Sequence, residues 1–198
     1  LEKKGWYGIS HLMEHLVCKS FDHLQEDFDR DGIDWNAYTS SNEIVFYLTG
    51  LDDKVNKYKN QFVELLTTFN ITKEEFENER KIVLEEYMDT FNDQTSSHFL
   101  NLSRKLFNDY DPIGLREDLE NLKYMDCINF FELQYMKPTK IINVSKHKEY
   151  KSKTVEFQER KIVKDIQFGN YDVPLELNND FKDKTSIAIL SPVIEEDF

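Results

Sequence analysis

Apolar residues Val55, Tyr58, Phe62, Leu65 and Leu66 recur at helical spacing and predict a helix over Asp52 to Phe69. Ahead of it, Trp35 to Thr39 and Glu43 to Thr49 are rich in aromatic and β-branched residues, a strand pattern, with Ser40-Ser41-Asn42 as the hairpin turn between them. Nearer the start, Gly8-Ile9-Ser10 reads as a turn whose serine caps a helix from about His11 towards Lys19. A more polar helix follows over about Asp22 to Asp29 and stops at Asp31-Gly32. Thr72-Lys73-Glu74-Glu75 is a capping box, and it opens a long helix to about Phe91. Ser97 to Asn108 is helical again, Asp111-Pro112-Ile113-Gly114 interrupts, and short helices cover about Arg116 to Asn121 and Tyr124 to Tyr135. Pro138 stops the last of these; Thr139 to Ser145 and Thr185 to Leu190 read as strands, with a polar, lysine-rich stretch from His147 to Thr154 between them. Alternating strands and helices, with no internal repeat or low-complexity tract, predict an α+β fold.

Composition narrows the partners. A chain of 198 residues, 39% hydrophobic, is long enough to bury a core, and fits one domain or one domain plus the start of another. Its net charge of −13 is spread along the sequence, which argues against nucleic acid as a partner, since a phosphate backbone needs a basic stripe. The same charge leans towards cationic peptides as ligands, although a solvated acidic surface is the more usual reason for it. Cys18 and Cys127 lack C-x-x-C spacing, so neither a disulfide framework nor a cysteine zinc site is indicated. No apolar run reaches membrane-spanning length and no signal-peptide pattern opens the chain. The expectation is a cytoplasmic protein with no membrane partner.

The chemistry concentrates at His11-Leu12-Met13-Glu14-His15. On a helix, His11 and His15 project from one face and can grip one zinc ion, leaving positions for a third ligand and a water. Glu14, on the adjoining part of that face, can take a proton from a water that the metal has acidified. The spelling H-x-x-E-H is the inverzincin signature. A surface helix that happens to carry two histidines gives the same five letters. The best source of a third ligand is Glu79 to Glu86 on the capped helix, where these two glutamates lie seven residues apart on one face. One can bind the metal while the other orients a ligand or shuttles a proton, yet acidic helix faces in so acidic a chain are mostly just solvated. His23, His98 and His147 have no partner at ligand spacing, and Cys127 reads as a buried small hydrophobe. Lys146, Lys148, Lys151 and Lys153 read as a solvated linker.

Four stretches in order resemble the M16 metallopeptidases, the group of pitrilysin, insulin-degrading enzyme and mitochondrial processing peptidase (MPP). They are His11 to His15, Asn36-Ala37-Tyr38-Thr39-Ser40, Glu79-Arg80-x-x-Val83-x-Glu85-Glu86, and Asp111-Pro112-Ile113-Gly114 through Leu119. Tyr135-x-x-Pro138 matches the end of that family's first domain, so the likeness runs from about Gly5 to Val144. The resemblance implies a LuxS/MPP-like metallohydrolase domain, a mixed antiparallel sheet with helices packed on one face. It implies His11, His15 and Glu86 as zinc ligands, Glu14 as general base, and Glu79 as the acid that supports the site. Asn36 and Ala37 match the edge strand along which such enzymes hold substrate backbone, and an exposed strand edge does offer unpaired N–H and C=O groups to an extended peptide. Tyr38 and Phe46 read instead as core positions of those strands.

The implied activity is zinc-dependent endopeptidase cleavage of peptides or unfolded segments. The implied layout is an N-terminal catalytic domain over residues 1–146 that lacks the family's opening strands, a linker over 147–160, and the start of a second such unit over 161–198. Family enzymes are clamshells, so a second M16-like half is expected from the same chain, a homodimer mate or a different subunit. Two other readings stand beside this one. Non-catalytic partner subunits of the family typically lose metal ligands, which this chain retains. S-ribosylhomocysteine lyase shares H-x-x-E-H but takes a cysteine as third ligand, and the helical context of Cys127 lacks that enzyme's flanking glycine.

Overall fold

A computed structural model describes residues 2–107, 111–136 and 142. The proposed linker and second unit therefore lie outside the described residues, as do Pro138, the strand at 185–190, and all of the strand at 139–145 except Ile142. The elements run α1 (Ile9–Lys19), a 3-10 turn (Asp22–Leu24), α2 (Gln25–Asp31), β1 (Asp34–Thr39), β2 (Ile44–Thr49) and α3 (Asp52–Thr67). After them come α4 (Lys73–Asn92), α5 (Gln94–Phe107), α6 (Arg116–Asn121) and α7 (Tyr124–Gln134). The class is α+β, rich in helix, and among the described residues the sheet is one antiparallel pair. No helix of the described residues is long and apolar enough to cross a membrane.

Helix α1 is the hub. Ile9, Leu12, Met13, Leu16 and Val17 fill one broad face and are buried to within 2%, packing against α4, α7 and the hairpin. Burying each such side chain stabilises the fold by roughly 1.5–3 kcal/mol. What remains of the surface of α1 carries His11, Glu14, His15 and Lys19, so the apolar stripe decides which way the polar residues point. Helix α4 starts as its sequence predicts: Thr72 Oγ1 accepts from the Glu75 amide at 3.1 Å and Glu75 returns a bond to the Thr72 amide at 2.7 Å. Phe76, Glu79 and Val83 form its buried line.

Helix α1 begins differently from the expectation. Ser10 does not cap it; the helix starts at Ile9, Gly8 occupies the cap position at φ 99°, and no side chain of the cap residue bonds the first turn. The carboxylate of Glu2 takes that role from outside, accepting from the Gly8 amide at 3.0 Å and the Ser10 amide at 2.8 Å. Ser10 is pulled inward and buried. The same end is clamped from α6: Asp118 accepts from the Tyr7 amide at 3.0 Å, and the Leu115 amide donates to the Tyr7 carbonyl at 3.3 Å. Gly114, at φ 75°, lies so close that a Cβ there would stand 2.4 Å from the Gly8 Cα. Only glycine fits both requirements.

In the hairpin, Trp35, Ala37 and Thr39 pair with Leu48, Phe46 and Ile44 on the half-buried face. Phe46 packs there, its ring 6.1 Å from that of Tyr135. Tyr38 does not join the core: strand alternation turns it to the other face, 46% exposed, where its hydroxyl bonds Glu43.

Candidate metal centre

Helices α1 and α4 bring three donor groups to one point. His11 and His15, one turn apart, face each other with their Nε2 atoms 3.2 Å apart. Glu86 of α4 straddles them, Oε2 at 3.5 Å from His11 Nε2 and Oε1 at 3.6 Å from His15 Nε2. One ligand atom from each of the three can be chosen so that all lie within 4.8 Å of one another. Zinc–ligand bonds of about 2.0–2.1 Å at tetrahedral angles put ligand atoms roughly 3.3 Å apart, so a Zn²⁺ ion fits these donors with little movement. The donor types, two imidazoles and one carboxylate, suit that ion as well.

The electrostatics favour metal-ready ligands. Burial, reinforced by His15 alongside, pushes the His11 imidazole down to about 4, so it is neutral near pH 7 and keeps a lone pair. Its Nδ1 is buried with no hydrogen-bond partner among the described residues. In His15 the Nδ1 faces Glu79 Oε2 at 3.4 Å. A proton held there leaves Nε2 as the lone-pair nitrogen. Glu79 is a buried carboxylate, 5% exposed, and its other oxygen lies 3.6 Å from Lys19 Nζ. Two turns of α4 therefore carry one acid at the donor cluster and one behind it, the division of labour that the sequence spacing left open.

Glu14 stands beside the cluster and is anchored by the hairpin: the Thr39 hydroxyl donates to Glu14 Oε2. The anchor places a carboxylate and a strand on the same side of the site. Asn36 and Ala37 lie further along β1. The Ser40 amide bonds the Glu43 carbonyl at 2.8 Å, and with the observed register this phases the ladder so that Trp35, Ala37 and Thr39 direct their backbone groups away from β2. Among the described residues that edge has no strand beside it. The Ala37 amide is occupied by its neighbour's side chain, donating to Asn36 Oδ1 at 2.8 Å.

Two clefts flank the donors. One of about 450 Å³ opens beside His11 between Thr39 to Ser41, Thr90 and Asp111 to Ile113. A smaller one of about 210 Å³ lies behind His15, between Glu14, Lys19, Trp35 and Glu79. Sequence reasoning passed over Thr39, Lys19 and Glu2 as working residues; each acts across space or from outside an element, and no local pattern marks such contacts. Glu85 points to solvent, His23 is exposed, and neither His23 nor His98 belongs to the donor group. Cys127 is fully buried in the core on α7 and is also outside that group. His147 lies outside the described residues.

Comparison with known proteins gives a consistent picture. A family model described as "Insulinase (Peptidase family M16)" matches residues 1–112. The chain is 24% identical over 155 residues to the probable mitochondrial-processing peptidase subunit beta of Arabidopsis thaliana, covering 72% of this chain and 29% of that protein. It is 29% identical over 153 residues to the zinc protease PqqE of Helicobacter pylori, covering 72% of this chain and 34% of the relative. Among solved structures, a protease from Helicobacter pylori superposes with a TM-score of 0.60 at 26% identity, covering 69% of this chain and 35% of that one. The chain thus spans about a third of the length of these relatives.

Proposed function

The chain belongs to the insulinase family of peptidases, M16, and from that premise we propose that it is the metal-binding part of a zinc endopeptidase acting on extended peptide segments. The observation that carries the proposal is the convergence of His11, His15 and Glu86 at the spacing of a tetrahedral ligand set. His11, His15 and Glu86 hold the metal; bound there, Zn²⁺ would acidify a water and polarise a peptide carbonyl.

The chain's own residues supply the rest. Glu14 is the general base: Thr39 fixes one carboxylate oxygen, which leaves the other to take a proton from the attacking water and later pass it to the leaving amine. Glu79 holds the His15 ring in the tautomer that presents Nε2. Ala37 offers its backbone groups to substrate from the strand edge, and Asn36 acts through its side chain, its amide carbonyl vacating the Ala37 N–H when a substrate carbonyl arrives. The fold around these residues is the LuxS/MPP-like domain, and a second M16-like half, from whatever source, closes the site over the peptide. The spread of acidic charge agrees with this reading and with a preference for cationic segments.

Cleavage of unstructured peptides by the purified chain, alone and supplied with a second half, tests the proposal. Hydrolysis that stops with a chelator and returns with Zn²⁺ is the expected result. Hydrolysis indifferent to chelation contradicts it.

A further inference from the structure

Behind the donor cluster, one carboxylate has its two oxygens shared between a ring and an ammonium. Glu79 is 6% exposed at its side chain; Oε2 faces His15 Nδ1 at 3.4 Å and Oε1 faces Lys19 Nζ at 3.6 Å. Lys19 follows His15 by four residues on α1, as His15 follows His11, so the two rings and the ammonium form one line along the helix. On the far side Asp22 holds the same ammonium at 3.4 Å, and Glu75 of α4 also lies within its electrostatic reach. We infer that Lys19 is a positioning residue for the metal centre: its ammonium anchors Glu79, and Glu79 in turn fixes the His15 ring. This rests on the metal site proposed above.

The physical case is the cost of burying a charge. A carboxylate this far from water needs a counter-charge beside it, and without one it swings out towards solvent. That movement removes the acceptor from His15 Nδ1 and frees the ring to rotate. Lys19 itself is 42% exposed, so its own share in fold stability is small, as for other surface ion pairs. Its effect should therefore appear at the metal rather than in unfolding.

The test is zinc affinity of the full 198-residue chain, measured by competition with a chromophoric chelator. Lys19→Met keeps the length of the side chain without its charge and should weaken zinc binding about tenfold, at the low end for partners that orient a ligand. Lys19→Arg keeps the charge and should stay close to the parent. Glu79→Gln should weaken binding as well, and Lys19→Met added to it should cost nothing more, since the lysine acts through that carboxylate. Parent-like affinity in Lys19→Met overturns the assignment. An equal loss from Lys19→Met with and without Glu79 overturns it too, because the lysine then works by another route. A parent chain that binds no zinc removes the metal site itself, and this role with it.

Discussion

The grouping of His11 and His15 was legible at the level of single residues, because H-x-x-E-H is a helix-period pattern. Helix spacing alone left open which glutamate of α4 joins the histidines, since Glu79 and Glu86 share a face. The choice of Glu86 came from the family likeness, and the structure sets Glu86 against both histidines and Glu79 behind His15. Three predictions belong at this scale. Glu14→Gln should keep its zinc while peptide hydrolysis falls by about 10²–10⁴-fold, the usual worth of a positioned general base; metal analysis and peptide assays on one preparation check both parts. Cys127→Ala should leave metal content intact, whereas a cysteine-ligated site of the lyase kind would lose it; its burial in the core places the thiol far from that role. The metal-free chain should also respond to pH through His11. Between its ordinary 6.5 and about 4 the unfolded chain binds a proton at this imidazole that the folded chain refuses. Stability is therefore full above that window and declines as pH falls through it. From pH 7 to pH 4 the denaturant midpoint of the parent should fall relative to that of His11→Gln, and a constant difference between them would contradict this.

Elements were read well where their signals are local. The capping box of Thr72 and Glu75 starts α4 where the sequence places it, and the hairpin turn falls between the expected strands. The start of α1 was misread because its cap is not local: Glu2 reaches the amides of Gly8 and Ser10, and no spacing rule describes a carboxylate so far outside the helix. Tyr38 was misread because aromatic strand residues usually point inward, while the period of two puts it opposite the inward-facing Ala37 and Thr39. The junction of α1 with α6 is the element-scale weak point. Gly114→Ala would drive a methyl group against the Gly8 backbone at a positive φ, and it should destabilise the fold by more than ~1 kcal/mol. Glu2→Ala should cost about 1–2 kcal/mol, comparable to losing a helix cap. Thermal unfolding of the two variants measures both, and a parent-like midpoint in Gly114→Ala would contradict the packing described for that turn.

At the scale of the molecule, the α+β class and the M16 family were both legible, the first from alternation of elements and the second from four motifs in order. A second half was expected from the same likeness, but its source was not legible, because nothing in one unit specifies its partner. The chain spans about a third of its relatives, and the proposed site opens into a cleft of about 450 Å³ near a strand edge with no partner among the described residues. A second M16-like half should therefore raise peptide turnover without changing metal content. The central claim is narrower and can be tested first. Zinc stoichiometry should be about one per chain in the parent and close to none in His11→Ala and Glu86→Gln. Undiminished zinc in Glu86→Gln would contradict the account, because the third ligand would then lie elsewhere.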